Sequence, residues 1–114
     1  MMPDILSVTT HDPADGVRVL CVAGELDRDS VAMLRTEIEE AIEDGIDRLI
    51  ADLTSMDFCD SGGLSLFVET HRRTMARGGW FRLVGPRPAV RSVLETTNLT
   101  GYLSVHSELA SALE

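Results

Sequence analysis

The sequence predicts an α/β domain, with a mixed sheet of about five strands and about four helices lying mainly on one face. Two observations carry this. From residue 17 onward, short apolar stretches of strand length alternate with stretches whose apolar residues recur at helical spacing, the pattern of parallel strands joined by right-handed crossovers. The junctions are marked by Gly24, Gly45, Gly78-Gly79 and Gly85-Pro86, residues that stop helices and turn the chain. A chain of 114 residues with 44% hydrophobic content fits one domain over 1–114 and lacks the bias of a disordered segment.

Taken in order, Ile5–Thr9 reads as a first strand, and His11-Asp12-Pro13-Ala14-Asp15-Gly16 has turn composition, so this strand is expected as an antiparallel hairpin partner near a sheet edge. Val17 to Ala23 is apolar on both alternating sets, as in a strand covered on both faces, and is expected to end at Gly24. Glu25-Leu26-Asp27-Arg28-Asp29-Ser30 is a polar loop, with Asp29 or Ser30 as N-cap of a helix whose inner face is Val31, Leu34, Ile38, Ala41 and Ile42. Arg48 to Leu53 is a buried strand. Asp57 to Gly63 forms a second polar loop, and a helix then runs to about Arg77 with Leu64, Phe67, Val68, His71 and Met75 on its packed face. Trp80 to Val84 is the next strand and Ala89 to about Thr97 a short helix with Val90, Val93 and Leu94 inward, ended by Asn98 in a left-handed cap. A last strand falls within Leu99–Val105, and Ser107 caps a final helix with Leu109, Ala110 and Leu113 inward.

Charge and cysteine usage exclude several function classes. Ten basic and nineteen acidic residues leave a net charge of −9, with no basic stripe to follow a phosphate backbone, so direct nucleic-acid binding is not expected. Cys21 and Cys59 sit in apolar strand-like sequence and read as small core hydrophobes. His11, His71 and His106 lie in separate segments without metal-ligand spacing, and no cofactor, metal or membrane insertion is expected. With no apolar run approaching the ~20 residues of a bilayer span and no leader pattern, a cytoplasmic location is expected. Neither a phosphate-binding glycine loop followed by Lys nor a Ser-His-Asp order in a supporting context is present, so the chain reads as a substrate rather than an enzyme.

The residue to explain is Ser61, in Asp57-Phe58-Cys59-Asp60-Ser61-Gly62-Gly63-Leu64. It stands where a strand feeds a helix. The first helical turn has amides without internal acceptors and the positive end of the macrodipole, Asp60 and Ser61 are both good N-caps, and the two glycines leave room for close approach by another molecule. A lone serine here is most simply a capping residue; the strand, glycine and loop context gives it a second reading as an exposed hydroxyl. Asp27 reads equally as a solvated turn residue or as part of a binding surface, since both polar loops should meet at the carboxyl ends of the strands.

Gly24-Glu25-Leu26-Asp27 before one helix, Asp60-Ser61-Gly62-Gly63-Leu64 opening the next, Gly78-Gly79 followed by Leu83-Val84-Gly85-Pro86, and Val93-Leu94-Glu95 with Leu99 together resemble the STAS-domain anti-sigma factor antagonists. The resemblance implies a partner-switching regulator. Its unphosphorylated form binds an anti-sigma factor with serine kinase activity and so frees a sigma factor; the kinase then phosphorylates it and releases it. On that resemblance Ser61 matches the phosphoacceptor and Asp60 the acid before it. Asp27 matches the acid bordering the partner surface, to which Gly62 and Gly63 also belong. The family usually has a second Ser or Thr at the position of Gly62 and often a small residue at that of Ser65, departures that bear on which kinase reads the chain. Two other readings stay open: a STAS-like docking subunit of a transporter or stress-sensing assembly, and a domain that binds a small phosphorylated ligand at the Ser61 helix terminus.

Overall fold

A computed structural model describes residues 5–114. Its elements, in chain order, are β1 (Ser7–Ala14), β2 (Val17–Leu26), α1 (Val31–Glu43), β3 (Arg48–Asp52), β4 (Met56–Cys59), α2 (Ser61–Ala76), β5 (Trp80–Val84), α3 (Pro88–Thr96), β6 (Ser104–His106) and α4 (Leu109–Ala112), with a 3₁₀ turn at Leu99–Gly101. The sheet has six strands in the order β1-β2-β3-β5-β6, with β4 paired to β2 off this path. Only β1 is antiparallel to its neighbour; the other pairings are parallel, as crossovers through helices require.

The mixed α/β architecture expected from the alternation is therefore present, with one more strand than the sequence suggested. The extra strand is β4, which falls in what reads as the second polar loop. Its four residues continue β2 beyond the point where β3 stops: Gly24, Glu25 and Leu26 pair with Met56, Phe58 and Cys59. Gly24 makes this exchange of partners possible. Its φ of +95° is open to glycine at little cost, and a Cβ there would lie 2.7 Å from the Ile5 carbonyl oxygen. So β2 does not end at Gly24 but bends there and runs on to Leu26.

The first strand is also longer and later than expected. It runs to Ala14 through Pro13, and the turn is only Asp15-Gly16. An edge position tolerates the proline, and the register shifts between His11 and Ala14.

One core lies between the sheet and three helices. Leu20, Val22, Leu49, Ala51, Phe81 and Leu83 face Leu34, Ile38 and Ala41 of α1, Leu64, Leu66 and Phe67 of α2, and Val90 and Leu94 of α3. Among the described residues the opposite face is covered by α4 alone, where Ala112 closes over Val17, Val19, Ile50 and Val84. Arg82 ties α4 down by donating to the Ala112 carbonyl at 2.7 Å while its guanidinium lies 3.7 Å from the centroid of Trp80.

Two inward assignments change. In α4 the inner residue is Ala112, with Leu109 half-buried, while Ala110 and Leu113 are exposed; Ser107 lies one residue too early to be the N-cap, which is Glu108. In α2 the buried stripe runs through Leu66, Thr70 and Thr74 as well as Leu64 and Phe67, and Met75 is exposed. The threonines are tolerated inside because their hydroxyls donate to helix carbonyls, Thr70 to Leu66 at 2.7 Å and Thr74 to Thr70 at 3.0 Å. His71 is half-buried and packs edge-on against Tyr102. Asn98 takes the expected left-handed conformation at the end of α3.

Candidate functional site

The two polar loops meet. The Asp60 N–H donates to the Leu26 carbonyl at 3.1 Å, so the residue before Ser61 is joined to the residue before Asp27. The helices that follow run side by side in the same direction. Arg35 of α1 pairs with Glu69 of α2 at 2.5 Å, and Glu39 of α1 with Arg73 of α2. Each pair joins residues 34 apart, the separation of Asp27 from Ser61, so the turn at Asp27, just before α1, stands level with the start of α2 at one end of the sheet.

Asp60, not Ser61, caps α2. Its backbone is extended, and one carboxylate oxygen accepts from the Gly63 N–H at 3.1 Å while its carbonyl accepts from the Leu64 N–H. Ser61 is the first helical residue and is exposed. Its hydroxyl makes no hydrogen bond among the described residues, and the Ser61 and Gly62 amides likewise have no acceptor there. A free hydroxyl thus sits on two free amides at the positive end of a 16-residue helix, an arrangement that favours an added anion.

The glycines divide. Gly62 is half-buried beside Asp60, and a Cβ there would lie 3.3 Å from a carboxylate oxygen. Gly63 is buried and turned inward: a Cβ would lie 2.7 Å from Cys59 Sγ and 2.8 Å from Leu26 Cδ2. It lets α2 settle onto β2 and β4 and adds only packing to the site, since its amide is taken by Asp60. Burial pushes the Cys59 thiol up to about 12, with the Asp60 carboxylate adding to the effect. Cys59 is core, as its setting suggested, whereas Cys21 is only half-buried on the sheet face that α4 leaves partly open.

Asp27 holds the other loop together. One carboxylate oxygen accepts from the Asp29 and Ser30 amides and the Ser30 hydroxyl, all at 3.0 Å. The Ser30 and Val31 amides also reach the Asp27 carbonyl. Ser30 occupies the N-cap position of α1 without a side-chain capping bond, so neither Asp29 nor Ser30 does the work expected of them. Asp27 closes the turn into α1 instead. A carboxylate two and three residues before the amides it accepts from is the signal that could have shown this.

Around this end Phe58 is 48% exposed and Met33 45% exposed, while Arg87 fixes the approach to β4 by pairing with Asp57 and donating to the Thr54 carbonyl. Phe58 lies three residues before Ser61, on a strand the sequence did not reveal. Its exposure leaves no trace in the hydropathy pattern.

A mixed sheet carrying three helices on one face, with a free serine at the start of the helix after its central crossover, defines a small α/β module, and among the described residues no helix is long and apolar enough to cross a bilayer. Residues 9–112 match the STAS domain, and the chain belongs to that family. It is 30% identical to the anti-sigma-F factor antagonist RsfB of Mycobacterium tuberculosis over 111 residues, 97% of this chain and 89% of that protein. The crystal structure of an anti-sigma factor antagonist from Mycobacterium paratuberculosis superposes with a TM-score of 0.87 at 29% identity, covering 98% of this chain and 94% of the other. The Bacillus cell fate determinant SpoIIAA in its phosphorylated form superposes with a TM-score of 0.74 at 26% identity, covering 94% and 96%.

Proposed function

We propose that the protein is a phosphorylation-controlled anti-sigma factor antagonist, which binds an anti-sigma factor with serine kinase activity when Ser61 is free and leaves it when Ser61 is phosphorylated. The observation that carries this is the division of labour at α2: Asp60 caps the helix, and the adjacent Ser61 hydroxyl is exposed and unused by the fold. The relatives support the reading, since proteins named as antagonists align over nearly the whole chain and SpoIIAA is known in a phosphorylated form.

The chain acts as substrate. A phosphoacceptor supplies only its hydroxyl, the kinase bringing ATP, metal and any base. The transfer forms the bond from Ser61 Oγ to the γ-phosphorus and breaks the bond to ADP. The product carries about −1.5 to −2 charges at neutral pH. The free Ser61 and Gly62 amides stabilise it where it stands, but Asp60 beside it and Asp27 on the adjoining loop oppose it, and a protein packed over Ser61 would have to desolvate it. Binding is therefore the property that changes.

The test is intact mass after incubation with the anti-sigma kinase and ATP, with peptide mapping and affinity measured before and after. One phosphate on Ser61 and an affinity loss of at least about tenfold, roughly 1.4 kcal/mol, are expected. Ser61→Ala binds and resists modification; Ser61→Glu binds weakly, its carboxylate offering fewer charges and acceptors than a phosphate. Phosphate on Ser65 or Thr54, or unchanged affinity after Ser61 is modified, overturns the assignment.

A further inference from the structure

Ser61 is one end of an open groove of about 750 Å³ that runs along the outer side of α2. Leu64 and Val68 form its floor, Thr97 and Leu99 its far wall, and Arg72 and Arg73 its other end. From Ser61 to Arg73 is about 18 Å of helix at 1.5 Å per residue. Val68 and Leu99 are half-buried apolar side chains with nothing over them among the described residues.

The charges along the groove are mostly settled within the chain. Glu69 is paired with Arg35 and Arg73 with Glu39, which leaves Arg72, exposed and without an ion-pair partner among the described residues. It is an uncompensated cation at the end of an apolar groove, on a chain whose net charge is −9.

We propose, resting on the reading of Ser61 above, that this groove seats an amphipathic helix of the anti-sigma partner, with apolar side chains over Leu64, Val68 and Leu99 and an acidic side chain on Arg72. The size agrees: three turns of a helix about 10 Å across, half sunk along 18 Å, displace on the order of 700 Å³. The openness agrees as well, for a groove open to solvent suits a helix, whereas small-molecule sites enclose most of the ligand. A second copy of this chain is a poor occupant, because two bodies of charge −9 repel. The acid is placed by Arg72, the lining cation without an ion-pair partner among the described residues.

The placement gives phosphorylation its leverage. A phosphate on Ser61 stands at one end of the groove, against the end of the seated helix, so the modification and the docked segment compete for the same place.

The experiment titrates the anti-sigma kinase into the full chain by calorimetry, comparing wild type, Val68→Glu, Arg72→Glu, Val68→Leu and phospho-Ser61, with methyl NMR of the leucines and valines. Val68→Glu and Arg72→Glu each lower affinity about tenfold or more, as expected for an anchor and its charge partner, while Val68→Leu stays near wild type. The Leu99 methyls, remote in sequence from Ser61, shift on binding. Arg72 is exposed, so its variant keeps the fold and separates lost binding from lost structure. If binding still depends on Ser61 but neither Glu variant weakens it and the Leu99 methyls do not move, the groove is not the seat and the Ser61 switch stands. If the kinase binds no form of the chain, both readings fall.

Discussion

Replacing Gly63 by alanine tests whether the site is built as described, because one methyl group is asked to enter a space that is already full. The new Cβ would lie 2.7 Å from Cys59 Sγ, 2.8 Å from Leu26 Cδ2 and 3.0 Å from Leu26 Cγ. Those side chains are 4% and 0% exposed, so neither can swing into solvent, and β2 or α2 has to move. Overpacking of this kind costs about 1–3 kcal/mol. Against it stands the helix preference of alanine over glycine, at most about 1 kcal/mol and less in a first turn. The net is a loss of about 1–2 kcal/mol, which for a domain near 100 residues lowers Tm by roughly 4–12 °C. Gly62→Ala is the control: its Cβ would meet only the Asp60 carboxylate, at 3.3 Å, and stability should stay within about 0.5 kcal/mol of wild type. Cys59→Ala removes the nearest obstructing atom, so Gly63→Ala should cost less in that background, with a coupling of about 0.5–1 kcal/mol. The assay is thermal and urea denaturation of the four single and double variants. A Gly63→Ala protein as stable as wild type, or one whose cost is unchanged by Cys59→Ala, refutes the packing argument.

Asp27→Ala removes the acceptor of three hydrogen bonds in the turn before α1 and should cost about 1–2 kcal/mol in urea denaturation, with Asp27→Asn retaining much of the stability; equal stability of Ala and wild type would contradict its role in closing the turn. The Arg73 guanidinium holds the Glu39 carboxyl below its usual 4.5, so this pair contributes above that pH and the contribution is lost as pH falls through the folded value. Because both side chains are well exposed the effect is under about 1 kcal/mol, and Glu39→Gln or 1 M salt should flatten the acid limb of a stability-against-pH curve to the same degree. Cys59, whose thiol is buried and pushed up to about 12, should resist alkylation at pH 8 in the native protein and react readily in urea, as read by mass mapping; fast native labelling would show that the β4–α2 junction opens.

How much of this was legible in the sequence depends on how far each feature is local. Helices α1 and α3 were readable because Leu34, Ile38 and Ala41, and Val90 and Leu94, declare a face by spacing alone. Strand β4 was not: its burial runs buried, exposed, exposed, buried over four residues, too short for a period-2 pattern, and it exists because β2 bends at Gly24 and offers it partners 32 and 33 residues away. The extension of β1 to Ala14 was hidden for a related reason. Its side chains are nearly all exposed, so backbone pairing to β2 makes the strand and hydropathy carries no trace of it. In α4, with four residues, no period distinguishes Ala112 from Leu113 as the inner position. At the site, Asp60 and Ser61 were found from capping chemistry, but the assignment of the cap to one and the free hydroxyl to the other needed backbone geometry. Gly63 reads in the sequence as room for close approach and is in fact closely packed, its missing Cβ leaving just enough space for Cys59 and Leu26.

That last reversal bears on how a serine at a helix start becomes a site of control. If Ser61 capped α2 through its hydroxyl, esterifying that oxygen would remove a structural hydrogen bond, and binding and folding would change together. Asp60 takes the capping bond, Gly63 gives α2 its close seat on β2 and β4, and Asp27 closes the neighbouring turn, so the structural demands of this end of the sheet are met by residues on every side of Ser61. The hydroxyl is left over. A group added to it meets two free amides below and solvent above, and the nearest parts of the chain that object to its charge are carboxylates already fixed by their own hydrogen bonds. In the proposed switch the disturbance is therefore directed outward, along the groove that starts at Ser61. A rigid support with one unused functional group on its surface is what a reversible binding switch requires, since the two states then differ in the free energy of the complex and hardly at all in that of the free protein.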